Sequence, residues 1–296
     1  MLKFVNAKIN LGLNVIKKRK DGYHDLETVF YPIGIYNGTA ENPEAFCDIL
    51  EICTTDNRDG DQYNFAGNEI DCPLEKNLVF KSVETMREAM QQKDKSLPGV
   101  IISLVKNIPD GAGLGGGSAD ASFTLVTLNN LMGNPLSDEE LKKLANEIGA
   151  DCPFFIENKP LFASGTGDIL SPVNLTLRNF WALILKPNVY ISTREAFSGI
   201  KPKQPDIPIK EIITQPIETW GINGLKNDFE ATIIKKFPEL KIIKEFLYKH
   251  GALYASMSGS GSSFFGIFAS RQDVLSCQSK IPEARLPFVH SYICKL

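Results

Sequence analysis

No lysine stands between Gly111 and Ser118, although the segment reads Gly-Ala-Gly-Leu-Gly-Gly-Gly-Ser. A Walker A loop ends in Gly-Lys-Ser/Thr, so that phosphate-binding grammar is excluded. The chain has no His-Arg-Asp and no Asp-Phe-Gly, which excludes the protein-kinase signature set. Its six cysteines form no C-x-x-C pair and do not cluster with the three histidines. They read as reduced thiols of a cytoplasmic protein rather than as metal ligands. A basic excess is missing too. There are 32 Lys and Arg against 35 Asp and Glu, for a net charge of −3. That balance argues against a nucleic-acid surface. No apolar run reaches the roughly 20 residues of a membrane span. No signal or transit segment precedes the strand pattern that begins at Met1-Leu2-Lys3-Phe4.

What the chain does have is the glycine run itself. Glycine permits backbone angles that side chains forbid, so successive N–H groups can converge on one anion. The run lies between the apolar stretch Val100–Val105 and a helical pattern beginning near Ser118. A glycine loop that opens a helix is a polyphosphate site, because the helix N-terminus adds unpaired donors and a partial positive charge. The flanks are apolar and periodic, unlike those of a flexible linker. Gly111, Gly113 and Gly116 also satisfy Gly-x-Gly-x-x-Gly. A dinucleotide fold then needs a second strand after the helix. Here Asn134-Pro135-Leu136-Ser137 leads into another helix, so that reading is set aside.

At 296 residues the chain makes one large domain or two ordinary ones. Ile9, Leu11, Leu13 and Val15 alternate with Lys8, Asn10, Gly12 and Asn14, which predicts a half-buried first strand. Asn77 predicts the cap of a helix through Val79, Val83, Met86 and Met90. Ser137 and Glu140 predict a capping box for the helix that Gly149 closes. Trp181–Leu185 reads as a buried strand, Thr193 as a helix cap, residues 199–216 as a proline-containing loop, and Pro238–His250 as a helix. Residues 36–76 read as irregular with strand-like pieces. Strands and helices mixed without strict alternation predict an α+β fold. The expected domains are residues 1–164 and 165–296.

Phosphoryl transfer needs phosphate donors, cations, and a group that orients or deprotonates the attacking hydroxyl. Pro109, Asp110, Gly111, Ala112, Gly113, Leu114, Gly115, Gly116, Gly117 and Ser118 supply the expected phosphate loop of a nucleotide. Ser118 can serve phosphate, Mg²⁺ or simply the helix as its cap. Asp110 is unfavourable beside a phosphate, unless it points outward or biases the shape of the loop. Asp151 follows a helix-ending glycine and precedes Cys152-Pro153. It is either a turn-former or a catalytic carboxylate. Lys8 is either a snorkelling lysine or, paired with Asp151, the cation that keeps that carboxylate ionised. Tyr23 and His24 can sandwich a nucleobase or pack at a strand edge. Thr193 and Phe197 share a helix face, towards the core or a ligand. Ser258-Gly259-Ser260-Gly261-Ser262 is a second phosphate-facing turn or a hairpin loop.

Three ordered segments resemble the GHMP kinase superfamily: Ala7-Lys8-Ile9-Asn10-Leu11, the run from Pro109 to Ser118, and Ser258-Gly259-Ser260-Gly261. The resemblance spans essentially the whole chain. It implies two halves, one like a domain of ribosomal protein S5 and one ferredoxin-like, with the glycine loop over the ATP phosphates. Asp21-Gly22-Tyr23-His24 and Gly149-Ala150-Asp151-Cys152-Pro153-Phe154 resemble the branch that phosphorylates the 2-hydroxyl of 4-diphosphocytidyl-2-C-methyl-D-erythritol. Two departures are Cys152 for the branch's usual valine and Asp110 for an apolar residue. The resemblance implies that Asp151 is the base, Lys8 its charged partner and Asn10 a polar neighbour. It also implies that Tyr23, His24 and Phe197 grip cytosine, with Thr193 nearby. ATP and Mg²⁺ are the implied cofactors. Small molecules are the implied partners, with no nucleic acid and no membrane. The implied pathway is non-mevalonate isoprenoid precursor synthesis, in a bacterium since no transit segment precedes the first strand. The rivals are another kinase of the superfamily acting on homoserine, mevalonate or a sugar, a silent nucleotide-binding sensor, and an RNA-binding module.

Overall fold

Alternating and helical patterns in the sequence become eleven strands and nine α-helices among the described residues. The structure is a computed structural model that describes residues 1–35, 46–55, 60–287 and 289–296. The first half runs β1 (Leu2–Lys18), β2 (His24–Ile33), β3 (Cys47–Thr55), β4 (Gln62–Gly67), α1 (Leu78–Gln91), β5 (Gly99–Lys106), α2 (Gly116–Leu131), α3 (Asp138–Ile148) and α4 (Cys152–Glu157). The second half runs β6 (Leu161–Ser164), β7 (Ile169–Pro172), β8 (Trp181–Pro187), α5 (Thr193–Phe197), α6 (Ile209–Ile212), α7 (Phe229–Lys236), α8 (Lys241–Lys249), β9 (Tyr254–Met257), β10 (Phe264–Phe268), α9 (Arg271–Ser279) and β11 (Val289–Lys295).

Contacts divide the chain into two compact units that interleave along it. One comprises Met1–Ala7, Cys47–Asp110 and Gly115–Lys159; the other Lys8–Phe46, Gly111–Leu114 and Pro160–Leu296. This differs from one cut between residues 164 and 165. The reason is that β1 begins in the first unit and continues in the second, and the glycine run is shared out in the same way.

The first unit carries the strand order β4-β5-β3-β1. β3 runs antiparallel to β5, with Ile49 opposite Val105 and Thr55 opposite Gly99. β4 lies parallel to β5. Val100, Ile102 and Leu104 of β5 are buried, whereas Val105 is exposed, as period-two geometry requires of a sheet covered on one face. The side chain of Asn77 accepts from the N–H of Val79 at 2.8 Å and starts α1. Ser137 and Glu140 form the capping box of α3. Both features agree with the sequence patterns.

The second unit carries the order β1-β2-β6-β7 and a separate antiparallel sheet, β11-β8-β10-β9. That second sheet packs Leu183, Leu185, Phe264 and Phe268 against Ile243 and Leu247 of α8 and Val274 of α9. Such burial contributes about 1.5–3 kcal/mol for each large apolar side chain.

Several local expectations change. β1 is buried on both faces from Val5 to Val15, so Lys8, Asn10 and Asn14 are interior residues rather than the solvated side of a half-buried strand. Ser192, not Thr193, caps α5, accepting from the N–H of Glu195 at 3.2 Å. The proline-containing segment 199–216 holds α6. A 3₁₀ turn, Pro238–Leu240, precedes α8. Within residues 36–76, the parts 36–45 and 56–59 lie outside the described residues, and the rest yields β3 and β4.

Candidate active site

The second unit gathers three expected segments around Lys8. The N–H of Lys8 donates to the carbonyl of Leu114 at 2.9 Å. Its ammonium, 3% exposed, donates to Asn10 Oδ1 at 2.6 Å and to the Gly113 carbonyl at 3.3 Å. Asn10 Nδ2 donates to Thr28 Oγ1 at 3.0 Å, and the Thr28 hydroxyl donates to the Gly12 carbonyl at 2.5 Å. A buried ammonium is costly unless oxygens surround it, and this network supplies them.

The late glycine-serine turn is tied to the same point. Ser258 Oγ accepts from the N–H of Asn10 at 3.3 Å and donates to the Gly113 carbonyl at 2.7 Å. The N–H of Ser263 donates to the Ala112 carbonyl at 3.2 Å. Gly113 is indispensable here. Its φ is +76°, and a Cβ there would lie 2.1 Å from the Ser258 carbonyl oxygen. At Gly111, φ +58°, a Cβ would meet the ring of Tyr190 at 2.9 Å. Segment 258–262 is the connection of the antiparallel β9–β10 hairpin, and through Ser258 it also bonds to the glycine run.

The nucleobase candidates also meet within this unit. The rings of His24 and Phe197 stack with centroids 4.8 Å apart and planes 22° from parallel. Phe229 braces Phe197 edge-on at 4.8 Å. A base slotted between two rings needs about 7 Å, twice the normal stacking distance. His24 and Phe197 therefore form a platform, with no slot between them. Tyr23 follows a turn in which its N–H donates to Asp21 Oδ1 at 3.0 Å, and it stands 66% exposed. Thr193 Oγ1 lies 3.5 Å from Ser260 Oγ.

The first unit supplies the other end of the glycine run. Gly115, in the left-handed conformation at φ +70°, caps α2, and the first helical bond runs from the Ala119 N–H to the Gly115 carbonyl at 2.8 Å. Ser118 is therefore the third residue of the helix and not its cap. The N–H groups of Gly116, Gly117 and Ser118 precede that first bond, so helix geometry leaves them for an anion. Gly116 also allows α2 to approach β5 closely, since a Cβ there would lie 2.8 Å from Ile108. Pro109 and Asp110 belong to this unit as well. Asp151 is the capping residue of α4 and contributes no side-chain cap bond. Burial and the neighbouring Asp151 charge push the Cys152 thiol up to about 12.

Sequence reasoning missed a buried ionic triad in this unit. Lys106 Nζ contacts Asp48 Oδ2 and, at 2.7 Å, Asp120 Oδ2. The other oxygen of Asp48 accepts from the N–H groups of Asn107 and Ile108 at 2.6 and 2.7 Å, which fixes the chain entering the glycine run. Burial pushes the Asp120 carboxyl well above the ordinary carboxylate range, against the pull of Lys106. Beside the triad lies a cleft of about 220 Å³, lined among others by Ile70, Leu78, Leu104, Lys106, Asp110 and Gly117.

Among the described residues no group of three or more His, Cys, Asp or Glu forms a metal cage. Mg²⁺ keeps most of its water and is commonly held by one or two protein oxygens plus substrate phosphates. The Ser118 hydroxyl, in the first turn of α2, is an oxygen that suits that mode. Asp120 Oδ1 is buried without a hydrogen-bond partner, two residues after the Ser118 hydroxyl on α2.

Comparison with known proteins identifies the family. The models described as GHMP kinases N terminal domain and GHMP kinases C terminal match residues 77–159 and 209–285. The 4-diphosphocytidyl-2-C-methyl-D-erythritol kinase of Bacteroides fragilis is 48% identical over 275 residues, 93% of this chain and 94% of that protein. The kinase of the same name from Parabacteroides distasonis is 46% identical over 90% of this chain and 92% of its own length. A crystal structure of 4-(cytidine 5'-diphospho)-2C-methyl-D-erythritol kinase superposes with a TM-score of 0.78 at 29% identity, covering 100% of both chains. The chain therefore belongs to the GHMP kinases, in the family of the 4-diphosphocytidyl-2-C-methyl-D-erythritol kinases.

Proposed function

We infer that this chain transfers the γ-phosphoryl group of ATP to the 2-hydroxyl of 4-diphosphocytidyl-2-C-methyl-D-erythritol, releasing ADP, in isoprenoid precursor synthesis. The observation that carries this reading is the strapping of Gly113 to Lys8 and Ser258, in a chain nearly half identical to kinases named for that substrate. ATP phosphates would lie along Gly111–Ser118, and the adenine in the cleft beside Lys106 and Asp110. The His24–Phe197 platform would take the cytosine ring, with the exposed Tyr23 next to His24 in sequence as a further ring and Thr193 beside Ser260.

The proposed chemistry is in-line displacement. Asp151 orients the 2-hydroxyl and accepts its proton as the oxygen bonds to the γ-phosphorus. The bond from that phosphorus to the bridging oxygen breaks, and its electrons leave with ADP. Lys8 stabilises the negative charge that grows on the attacking and transferring oxygens. Asn10 holds the Lys8 ammonium in position. Ser118 is the residue that would hold Mg²⁺, together with the substrate phosphates. When bound, Mg²⁺ supplies neutralisation of the phosphate charge. The proposed compartment is the cytoplasm, in keeping with six free cysteines.

The test is ADP release from Mg·ATP with and without 4-diphosphocytidyl-2-C-methyl-D-erythritol, with homoserine, mevalonate and galactose in parallel. Release that depends on the cytidyl substrate alone is expected. Release with another acceptor instead would sink the substrate assignment. ATP binding without release to any acceptor would favour the sensor.

A further inference from the structure

Ser258 fixes the glycine run, and its hydroxyl is held by the N–H of Asn10, but the main chain on either side of it needs a further anchor. That task falls to Asn227, a residue outside every motif in the sequence. Asn227 is 2% exposed and lies just before α7. The main chain around it is clamped to β1: the N–H of Leu13 donates to the Lys226 carbonyl, and the N–H of Asp228 to the Leu13 carbonyl, both at 2.8 Å. Its amide nitrogen donates to the carbonyls of Met257 at 2.9 Å and Gly259 at 2.7 Å, the two residues that flank Ser258. Its amide oxygen accepts from the N–H of Phe229 at 2.9 Å. The network also settles the orientation of the amide, because the reverse would set oxygen against two carbonyl oxygens.

A continuous set of bonds follows. Asn227 holds both shoulders of the turn. The turn places Ser258 Oγ 2.7 Å from the Gly113 carbonyl and sets the Ser258 carbonyl against the bare Cα of Gly113. The Gly113 carbonyl is in turn an acceptor for the Lys8 ammonium at 3.3 Å. The two carbonyls take both hydrogens of one amide, and the turn's own N–H groups bond elsewhere, Met257 to Glu230 Oε1 at 2.8 Å and Ser258 to the Ser263 carbonyl at 2.9 Å.

We propose that Asn227 is a positioning residue for phosphoryl transfer: its amide holds the Met257–Gly259 turn so that Ser258 keeps Gly113, and through it Lys8, in register with the ATP phosphates. The proposal rests on the placement of ATP argued above. A purely local role is the alternative, with Asn227 serving only to start α7 through the Phe229 N–H.

Asn227→Asp separates the two roles. It keeps size and the acceptor for Phe229, and replaces the donor with an oxygen that faces two carbonyls. The affinity for Mg·ATP, read by titration calorimetry without any acceptor substrate, should fall roughly 10-fold or more. The value of kcat/KM for ATP should fall at least as far, with a single cooperative thermal transition retained. A protonated carboxyl can donate one bond, so activity relative to the parent should rise as pH falls from 8 to 6. The charged groups facing this point are Glu230, which accepts from Ser256 Oγ and the Met257 N–H and pairs with Lys244, together with Asp228, Lys226 and Lys8. They are common to both proteins, so the activity ratio isolates the introduced group.

Ser258→Ala should reproduce the loss of ATP affinity, and the double variant should lose little more than either single one. Parental ATP affinity in Asn227→Asp at every pH, or fully additive losses, would overturn the proposal. If Asn227→Asp does not fold, Ser258→Ala decides, and unchanged ATP affinity there overturns it. Inactivity of the parent towards the cytidyl substrate would count against the function and leave this affinity test standing.

Discussion

The hydroxyl of Ser258 donates to the carbonyl of Gly113 at 2.7 Å across 145 residues of sequence. The bond makes the glycine run, the proposed phosphate loop, a composite: glycines supply its shape, and a distant serine bonds it in place. A Cβ at residue 113 would lie 2.1 Å from the Ser258 carbonyl, and φ of +76° is strained for any L side chain. Gly113→Ala should therefore cut kcat/KM for ATP by about 100-fold or more, well beyond the roughly 1–2 kcal/mol of left-handed strain alone. Steady-state kinetics with circular dichroism as the folding control checks this. Near-parental kinetics would mean that the loop moves freely of Ser258.

Lys8 and Asp151 divide the proposed chemistry between a cation and a base. Asp151→Asn should leave ATP affinity unchanged while kcat falls by roughly 10²–10⁴, the usual scale of general acid–base catalysis. Lys8→Met removes charge from a buried network, so both kcat and ATP affinity should drop. Single-turnover phosphoryl transfer and equilibrium ATP binding separate the two effects. Normal turnover in Asp151→Asn would remove that residue from the mechanism.

The His24–Phe197 stack predicts a kinetic split in the opposite sense. Phe197→Ala removes half of the platform and should raise KM for the cytidyl substrate by about 10- to 100-fold, the scale of one lost base stack. KM for ATP should stay within about twofold, since Phe197 packs on His24 and Phe229 and not on the glycine run. Equal rises in both KM values would mean that the stack supports the fold rather than the base.

Thiol chemistry gives a check independent of activity. Cys53 and Cys72 are exposed, whereas burial pushes Cys47 up to about 11 and Cys152, Cys277 and Cys294 up to about 12. Thiolate is the reactive form. Two thiols should react rapidly with a chromogenic disulfide at pH 8 in the native protein, and all six in denaturant. Fast reaction at Cys152 would show that α4 opens readily.

Local chemistry made much of this legible before any coordinates. Asn77, Ser137 and Glu140 sit where caps are needed, and their bonds involve neighbours two or three residues away. Gly111–Ser118 announced itself because phosphate loops need glycine. Asn227, Asp48 and Lys106 carried no such signal. Their partners lie between 14 and 60 residues away in the bonds that matter, so no short window of sequence contains both ends. The burial of Lys8 was hidden for a related reason. A strand covered on both faces normally reads as continuously apolar, and β1 instead buries amides and an ammonium that satisfy one another.

Lys106 offers the sharpest test of the interior. Its ammonium is the shared counter-charge of Asp48 and Asp120, all three nearly inaccessible to solvent. Removing the cation strands two carboxylates. Lys106→Met should therefore destabilise the protein by about 3–5 kcal/mol, the cost of breaking a buried ion pair from one side. Asp48 keeps the N–H groups of Asn107 and Ile108 in that variant, but Asp120 has no comparable compensation. Adding Asp120→Asn should then recover a substantial part of the loss, because the stranded charge disappears while the shape stays. Urea denaturation of the parent, the single and the double variant measures both steps. A double variant no more stable than Lys106→Met would show that the burden falls on Asp48 and that the triad acts through the chain entering the glycine run.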